Sequence, residues 1–291
     1  MRTVLAFALL LVTVAACTDG TPPAGEPTST PATATTSDPD PREPTIESIR
    51  YAPDHPSQFG QLYLPDEPRS TLVVLIHGGF WYAQYGLESV QPLARDLADG
   101  GYPVWSIEYR RVGEHAGGWP GTFEDVAMAI DHVIQLPVAP SRIVVVGHSA
   151  GGHLALWAAA RQRLPDGRVG SQPAVVPDQV VGLAAVSDLR SAARQGLGAD
   201  AVDKLLGGAP SEVPERVRVA APIASLPLGV PQLLVHGRQD RLVPVEMSEQ
   251  YAQQARAAGD QVQLEIVDGG HFDMIDPDHA AWDTVLAFLE G

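Results

Sequence analysis

The stretch Ile143-Val144-Val145-Val146-Gly147-His148-Ser149-Ala150-Gly151-Gly152-His153-Leu154-Ala155-Leu156-Trp157 decides the fold. Its four leading β-branched residues suit a strand buried on both faces, and from His153 onward the pattern is helical. Between the two stands Gly147-His148-Ser149-Ala150-Gly151, a serine with a glycine two residues away on either side. The spacing has a steric cause. A strand that turns directly into a helix strains the backbone at the serine, and the glycines let strand and helix cross without Cβ clashes. The helix N-terminus then aims amide donors at the hydroxyl and favours developing negative charge there. A Gly-rich turn is the plain alternative, but the flanking strand and helix argue for a nucleophile held at the tip of a tight elbow.

A serine hydroxyl is a weak nucleophile, so it needs a base within reach and a group that orients the base. Nine histidines compete for that role. Gly269-Gly270-His271-Phe272 lies on a glycine loop between a predicted strand and the last predicted helix, and His271 is the expected base in the order serine, acid, histidine. His148 and His153 are too close to Ser149 in sequence to fold back onto it, and His236 ends a strand; all three read as structural. For the acid, Asp240 follows the strand ending at Val235 and is the expected partner. A capping or turn aspartate is its plain alternative, and Asp188, after the preceding strand, is its rival. Asp273 and Asp276 lie downstream of the base and break the chain order.

Upstream, the apolar strand Leu72 to Ile76 runs into His77-Gly78-Gly79-Phe80-Trp81. Acyl transfer needs N–H donors aimed at a tetrahedral oxyanion, and glycines let backbone amides approach that atom. The turn Gly78-Gly79-Phe80, through the amides of Gly79 and Phe80, together with Ala150, is the expected oxyanion hole. His77 reads as a buried brace for the loop and not as a base.

From Thr45 onward short β-branched runs alternate with helical patterns, the order that gives a mostly parallel sheet covered by helices on both faces. Strands are predicted at Leu72 to Ile76, Tyr102 to Ile107, Ile143 to Val146, Val180 to Val186, Gln232 to Val235 and Val262 to Val267, with Thr45 to Tyr51 and Gly60 to Leu64 as an antiparallel lead-in. Helices are predicted at Leu87 to Ala98, Thr122 to Leu136, His153 to Arg163, Val245 to Ala258 and His279 to Leu289. No internal repeat is visible.

The chain has 291 residues, 45% hydrophobic and 19% charged, enough to bury the core of one large α/β domain. Its 35 acidic and 19 basic residues give a formal net charge of -16, which repels polyphosphate, so no nucleic acid partner is expected. Met1-Arg2 and the apolar run Val4 to Ala16 read as a signal peptide over residues 1–16, since that run is shorter than the ~20 residues a spanning helix needs. Val14-Ala15-Ala16-Cys17 resembles the bacterial lipobox, and Cys17 is the only cysteine, which favours lipidation there over an idle thiol left by ordinary cleavage. Residues 17–44, rich in Thr, Pro, Ser and Ala, read as a disordered tether, and residues 45–291 as the catalytic domain. The expected location is therefore outside the cell, either lipid-anchored to the outer face of a bacterial membrane or secreted.

Taken together, these residues resemble the α/β-hydrolase superfamily, and within it the small carboxylesterase and kynurenine formamidase-like branch. The form His77-Gly78-Gly79-Phe80-Trp81 with Gly147-His148-Ser149-Ala150-Gly151, the tripeptide Glu108-Tyr109-Arg110 and the start Phe123-Glu124-Asp125-Val126 carry the resemblance. It covers about Thr45 to Gly291, with Ser187-Asp188-Leu189 only partly similar. It implies an α/β-hydrolase fold with about eight strands, a small cap or none, and a hydrolase acting on small acyl or aryl esters through an acyl-enzyme. A formamidase or amidase is the alternative, and a non-catalytic surface lipoprotein a remote one.

The segment Asp188 to Val230 leaves room for a small cap only, which favours small substrates. Trp81, Tyr82, Trp119, Phe272 and Met274 lie on loops at the site end of the sheet and are candidates for the pocket wall. No zinc-ligand spacing, H-E-x-x-H, phosphate loop or dinucleotide fingerprint is present, so no metal and no cofactor are expected.

Overall fold

The computed structural model describes residues 44–291. The expected signal peptide, Cys17 and the tether up to residue 43 lie outside the described residues.

Alternate burial on two faces builds the centre of the sheet. In β3 (Thr71–Ile76) Leu72, Val74 and Ile76 point into one apolar cluster and Val73 and Leu75 into another, and every residue is buried. A strand with no polar face needs cover on both sides. Its parallel neighbours are β4 (Val104–Ile107) and β5 (Arg142–His148), followed outward by β6 (Gln179–Leu183), β7 (Gln232–Gly237) and β8 (Val262–Val267). The lead-in strands β1 (Thr45–Arg50) and β2 (Phe59–Leu64) pair antiparallel and add to the edge of β4, giving the eight-stranded order β1-β2-β4-β3-β5-β6-β7-β8. This is the α/β-hydrolase fold.

Helices α1 (Gln91–Asp99) and α8 (Ala280–Glu290) cover one face, through Leu93, Leu97, Trp282 and Val285. On the other lie α2 (Gly121–Asp131), α3 (Ala150–Ala160) and α7 (Val245–Ala257). Every residue of α3 is buried, the pattern of a helix enclosed on all sides. Its indole at Trp157 donates to Val219 O at 3.0 Å. Just beyond it the buried Arg161 pairs with Asp131 at 2.6 Å and donates to Gly170 O at 2.8 Å, so the charge is matched where it is desolvated.

Two stretches depart from the pattern read in the sequence. Strand β6 stops at Leu183, three residues before the predicted end at Val186, because Ala184 takes a positive φ of 46°. Ala184 N–H then donates to Val235 O, and Val186 N–H to Ser149 O, so the apolar run continues as a bend that packs under the elbow. The segment after it holds three short helices, α4 (Leu189–Gln195), α5 (Ala201–Leu206) and α6 (Pro214–Ala220).

A close backbone crossing lies at the start of α3. A Cβ on Gly147 would overlap Gly151 O, and one on Gly151 would overlap the carbonyl oxygens of Ile76 and His77. Gly151→Ala should therefore lower stability by about 1–3 kcal/mol, the usual cost of overpacking, read as a lower urea midpoint at unchanged slope. An unchanged midpoint would show that the crossing relaxes freely.

Candidate active site

Ser149 sits between the end of β5 and the first residue of α3 with φ 56° and ψ −117°. Such a conformation costs a non-glycine residue about 1–3 kcal/mol and persists only where its surroundings impose it. Here they do. Ser149 N–H donates to Leu183 O at 2.8 Å, and its carbonyl accepts from His153 N–H at 3.0 Å and Val186 N–H at 3.2 Å. The serine is 2% exposed and borders a cleft of about 190 Å³.

His271 follows β8 on the glycine loop and lines the same cleft. Its Nδ1 lies 2.7 Å from Asp240 Oδ2. A carboxylate oxygen only accepts, so Nδ1 carries the hydrogen and Nε2 is left as the ring's acceptor. The Asp240 side chain is fully buried, with Leu242 N–H and Val243 N–H on Oδ1 at 2.8 and 2.9 Å, and His236 Nε2 3.2 Å from Oδ2. Burial alone would raise this carboxyl; the hydrogen bonds from His236, His271 and Val243 N–H override it and hold the group well below the usual carboxylate range. The rival Asp188 is engaged elsewhere, accepting from Arg190 N–H at 2.9 Å and Ser191 N–H at 3.0 Å as the cap of α4.

The turn after β3 forms another wall of the cleft through Gly78, Gly79 and Phe80. Gly79, Phe80 and Trp81 all have positive φ, at 106°, 50° and 60°. Among the described residues no acceptor takes the N–H groups of Gly79, Phe80 or Ala150. Ala150 is itself buried as the first residue of α3. Beneath the turn, His77 donates from Nδ1 to Gly78 O at 2.8 Å, and its Nε2 meets Glu108 Oε1 at 2.8 Å. The ring stacks on Tyr109 at 4.4 Å, and Tyr109 OH donates to His77 O at 3.1 Å. The tripeptide Glu108-Tyr109-Arg110 thus has its use here: Glu108 and Tyr109 hold His77, and Arg110 pairs with the buried Asp125 at 2.7 Å.

Of the aromatic residues expected along the pocket, Phe272 lines the cleft and is 65% exposed. The others lie elsewhere. Trp81 is buried and packs edge-on against His153 at 5.2 Å, Trp119 packs on Phe123 at 5.3 Å, and Met274 belongs to the core under α8. The positive φ at Trp81 turns its indole inward, away from the cleft. Tyr82 donates to Asp200 Oδ1 at 2.8 Å, tying the turn to the segment after α4. The apolar rim is made instead by Tyr85, Leu242 and Ile275 beside Phe272. Tyr85 and Leu242 sit on irregular segments and Ile275 ends the short 3-10 turn Phe272–Ile275, so no periodicity marks them in the sequence.

His148 and His153 are both buried. His148 Nε2 meets His271 O at 3.0 Å and His153 Nε2 meets Ala220 O at 2.9 Å. Burial pushes His153 down to about 4, and burial with the neighbouring His271 pushes His148 down to about 3.

The matches to known proteins agree with this architecture. The model of the BD-FAE family matches residues 61–254, and the chain belongs to that family. It is 30% identical over 242 residues to Esterase LipC of Mycobacterium tuberculosis, a match covering 77% of this chain and 59% of that protein. The chain therefore spans just under three fifths of that relative's length. Among solved structures it is similar to esterase B of Lactobacillus rhamnosis, with TM-score 0.71, 23% identity and 86% of each chain covered. It is also similar to a truncated carbohydrate esterase from gut microbiota, with TM-score 0.70 and 23% identity over 86% of this chain and 97% of that one. At these identities the two structures speak for the fold.

Two buried neutral imidazoles make stability depend on pH. A histidine whose folded value lies below its unfolded value of about 6.5 stabilises fully above that pH. That stabilisation is lost as the pH falls toward the folded value, a window reaching down to about 4 for His153. Asp240 adds a second loss only below 3.8, because its folded value is depressed. Between pH 7 and pH 5 His153 alone should account for a loss of about 2 kcal/mol. In urea titrations at the two pH values, His153→Phe should shrink the wild-type drop by that amount; an equal drop in both proteins would refute the assignment.

Proposed function

We propose that the chain is a serine hydrolase that cleaves carboxylic esters of small acyl or aryl substrates through an acyl-enzyme. The observation that carries this reading is the 2.7 Å bond from His271 to Asp240, with His271 and Ser149 facing one cleft beside the Gly78-Gly79-Phe80 turn. In this scheme Ser149 Oγ attacks the carbonyl carbon while His271 Nε2 takes its proton. The amides of Gly79, Phe80 and Ala150 receive the negative charge that develops on oxygen. The imidazolium, stabilised by Asp240, returns the proton to the departing alkoxide. Water then attacks the acyl-enzyme by the same route, yielding the carboxylic acid and free Ser149. The similarity to Esterase LipC of Mycobacterium tuberculosis supports ester chemistry. A cleft of about 190 Å³, below the ~300–1,000 Å³ of drug-sized sites, favours short acyl groups.

A formamidase of the kynurenine formamidase type is the second reading, supported by the His77-Gly78-Gly79-Phe80-Trp81 motif. The same cleft would then receive an N-formyl group, and the leaving group would be an amine.

One experiment separates these readings. Purified protein is treated with a fluorophosphonate probe and assayed on p-nitrophenyl esters from acetate to octanoate and on N-formyl-kynurenine. Labelling should vanish in Ser149→Ala, turnover should fall as the acyl chain lengthens, and Asp240→Asn should lose up to ~10⁴ in turnover with its fold intact. Faster cleavage of N-formyl-kynurenine would favour the formamidase. Absence of labelling in folded protein would bring forward a non-catalytic binding role.

For location we propose export and attachment through a lipid on Cys17, on the strength of Val14-Ala15-Ala16-Cys17. In a bacterial host the full chain should partition into detergent and incorporate labelled palmitate, and Cys17→Ala should do neither. Palmitate-free, aqueous wild-type protein would point to ordinary secretion.

A further inference from the structure

We infer that His148 selects the substrate, its Nδ1 accepting a hydrogen bond from a hydroxyl group that the ester carries close to the scissile carbonyl. This rests on the ester-hydrolase reading of the site and deepens it.

The tautomer follows from the partners. His148 Nε2 faces His271 O at 3.0 Å, and a carbonyl oxygen only accepts, so Nε2 holds the hydrogen and Nδ1 presents a lone pair. Burial pushes the ring down to about 3, so it stays neutral through the ordinary working range and Nδ1 is never a donor. The ring is fixed in place: it is 4% exposed and lies against the His271 ring at 4.6 Å with a 50° tilt.

Nδ1 is also in the right place. A Cβ built on Gly78 would lie 3.1 Å from His148 Nδ1 and 3.1 Å from Ser149 Cβ, so the acceptor stands beside both the oxyanion turn and the nucleophile-bearing carbon. His148 lines the cleft, and among the described residues no N–H or O–H group donates to its Nδ1. The rest of the wall is largely apolar, made by Phe80, Tyr85, Leu242, Phe272 and Ile275, and the hydroxyl of the lining Ser89 donates to Gly86 O at 2.9 Å; a fixed polar group in such a pocket sets orientation and specificity. An ester lacking the hydroxyl would leave Nδ1 desolvated without a partner, and sites that hydrogen-bond a substrate hydroxyl reject such analogues strongly. The hydroxyl has two possible sources within reach: the α-carbon of the acyl group, as in a 2-hydroxy acid ester, or the alcohol, as in a monoester of a vicinal diol.

The test measures kcat/KM of the full chain on two matched pairs. Ethyl glycolate against ethyl methoxyacetate tests the acyl side, and 2-hydroxyethyl acetate against 2-methoxyethyl acetate tests the alcohol side. The methoxy partners keep the inductive effect and remove the donor. At least one pair should show about 10-fold or greater preference for the hydroxyl. The preference should collapse toward unity in His148→Phe and His148→Leu even as absolute rates fall for both members. If the methoxy esters are hydrolysed and neither pair discriminates in the wild type, the inference is overturned; a preference that survives in either folded variant overturns it equally. Should neither variant fold, the wild-type pairs still decide. Failure of the wild type on p-nitrophenyl acetate as well would instead refute the ester-hydrolase reading beneath it.

Discussion

The left-handed backbone at Ser149 is the constraint on which the rest of the site depends. A residue with a Cβ does not rest at φ 56° and ψ −117° unaided. It is held there by three backbone hydrogen bonds, one to the end of β6 and two from α3 and the bend after β6. The close passage of α3 over the end of β3, which requires glycine at 151, keeps those partners in register. The early end of β6 belongs to the same device, since Val186 N–H reaches the Ser149 carbonyl only because the chain bends at Ala184. Stability stored in the sheet and in the enclosed helix α3 therefore sustains one strained residue at the rim of the cleft.

Charge around that residue is arranged with similar economy. Asp240 is the anion directly behind His271, and hydrogen bonds from Leu242 N–H, Val243 N–H and His271, with His236 Nε2 3.2 Å away, keep it ionised although its side chain is buried. His148 and His153 on either side of the serine are kept neutral by burial. In the proposed mechanism, the positive charge that proton transfer places on His271 would face a fixed anion and no competing cation from these neighbours, the form of electrostatic preorganisation that suits a serine nucleophile. His77 and Glu108 perform the matching task for the opposite wall, fixing the Gly78 carbonyl and with it the plane of the next amide, that of Gly79.

Much of this was legible in the sequence because it depends on local signals. Apolar runs marked both-face-buried strands, and a glycine two residues to either side of Ser149 marked the elbow. Glycine loops marked the places where His271 and the turn at Gly78 leave the sheet. The strand-end position of Asp240 was legible too, but what separates it from Asp188 is tertiary: Asp188 caps α4, whose Leu189–Gln195 pattern is too short to stand out. The aromatic wall was misplaced for a related reason. Residues 81, 82 and 119 sit at the correct end of the sheet, but sequence position does not say which way a side chain turns, and three successive positive φ values send Trp81 into the core. Tyr85 and Leu242 carry no periodic signal at all.

The three short helices after β6 matter through what they touch. Phe80 packs against Gly198, where a Cβ would meet its ring at 2.5 Å, and Tyr82 is bonded to Asp200. The segment therefore leans on the outside of the turn whose inner side faces the cleft, and none of its residues lines the cleft itself. Under the proposed activity, discrimination among substrates would fall to groups that border the small opening: the exposed ring of Phe272, the rim of Tyr85, Leu242 and Ile275, and the lone pair of His148 Nδ1. On that reading, selectivity would come from the shape and polarity of the cleft wall. A change in the outer segment would reach the chemistry only by shifting Phe80 and Tyr82, and with them the amides of the turn.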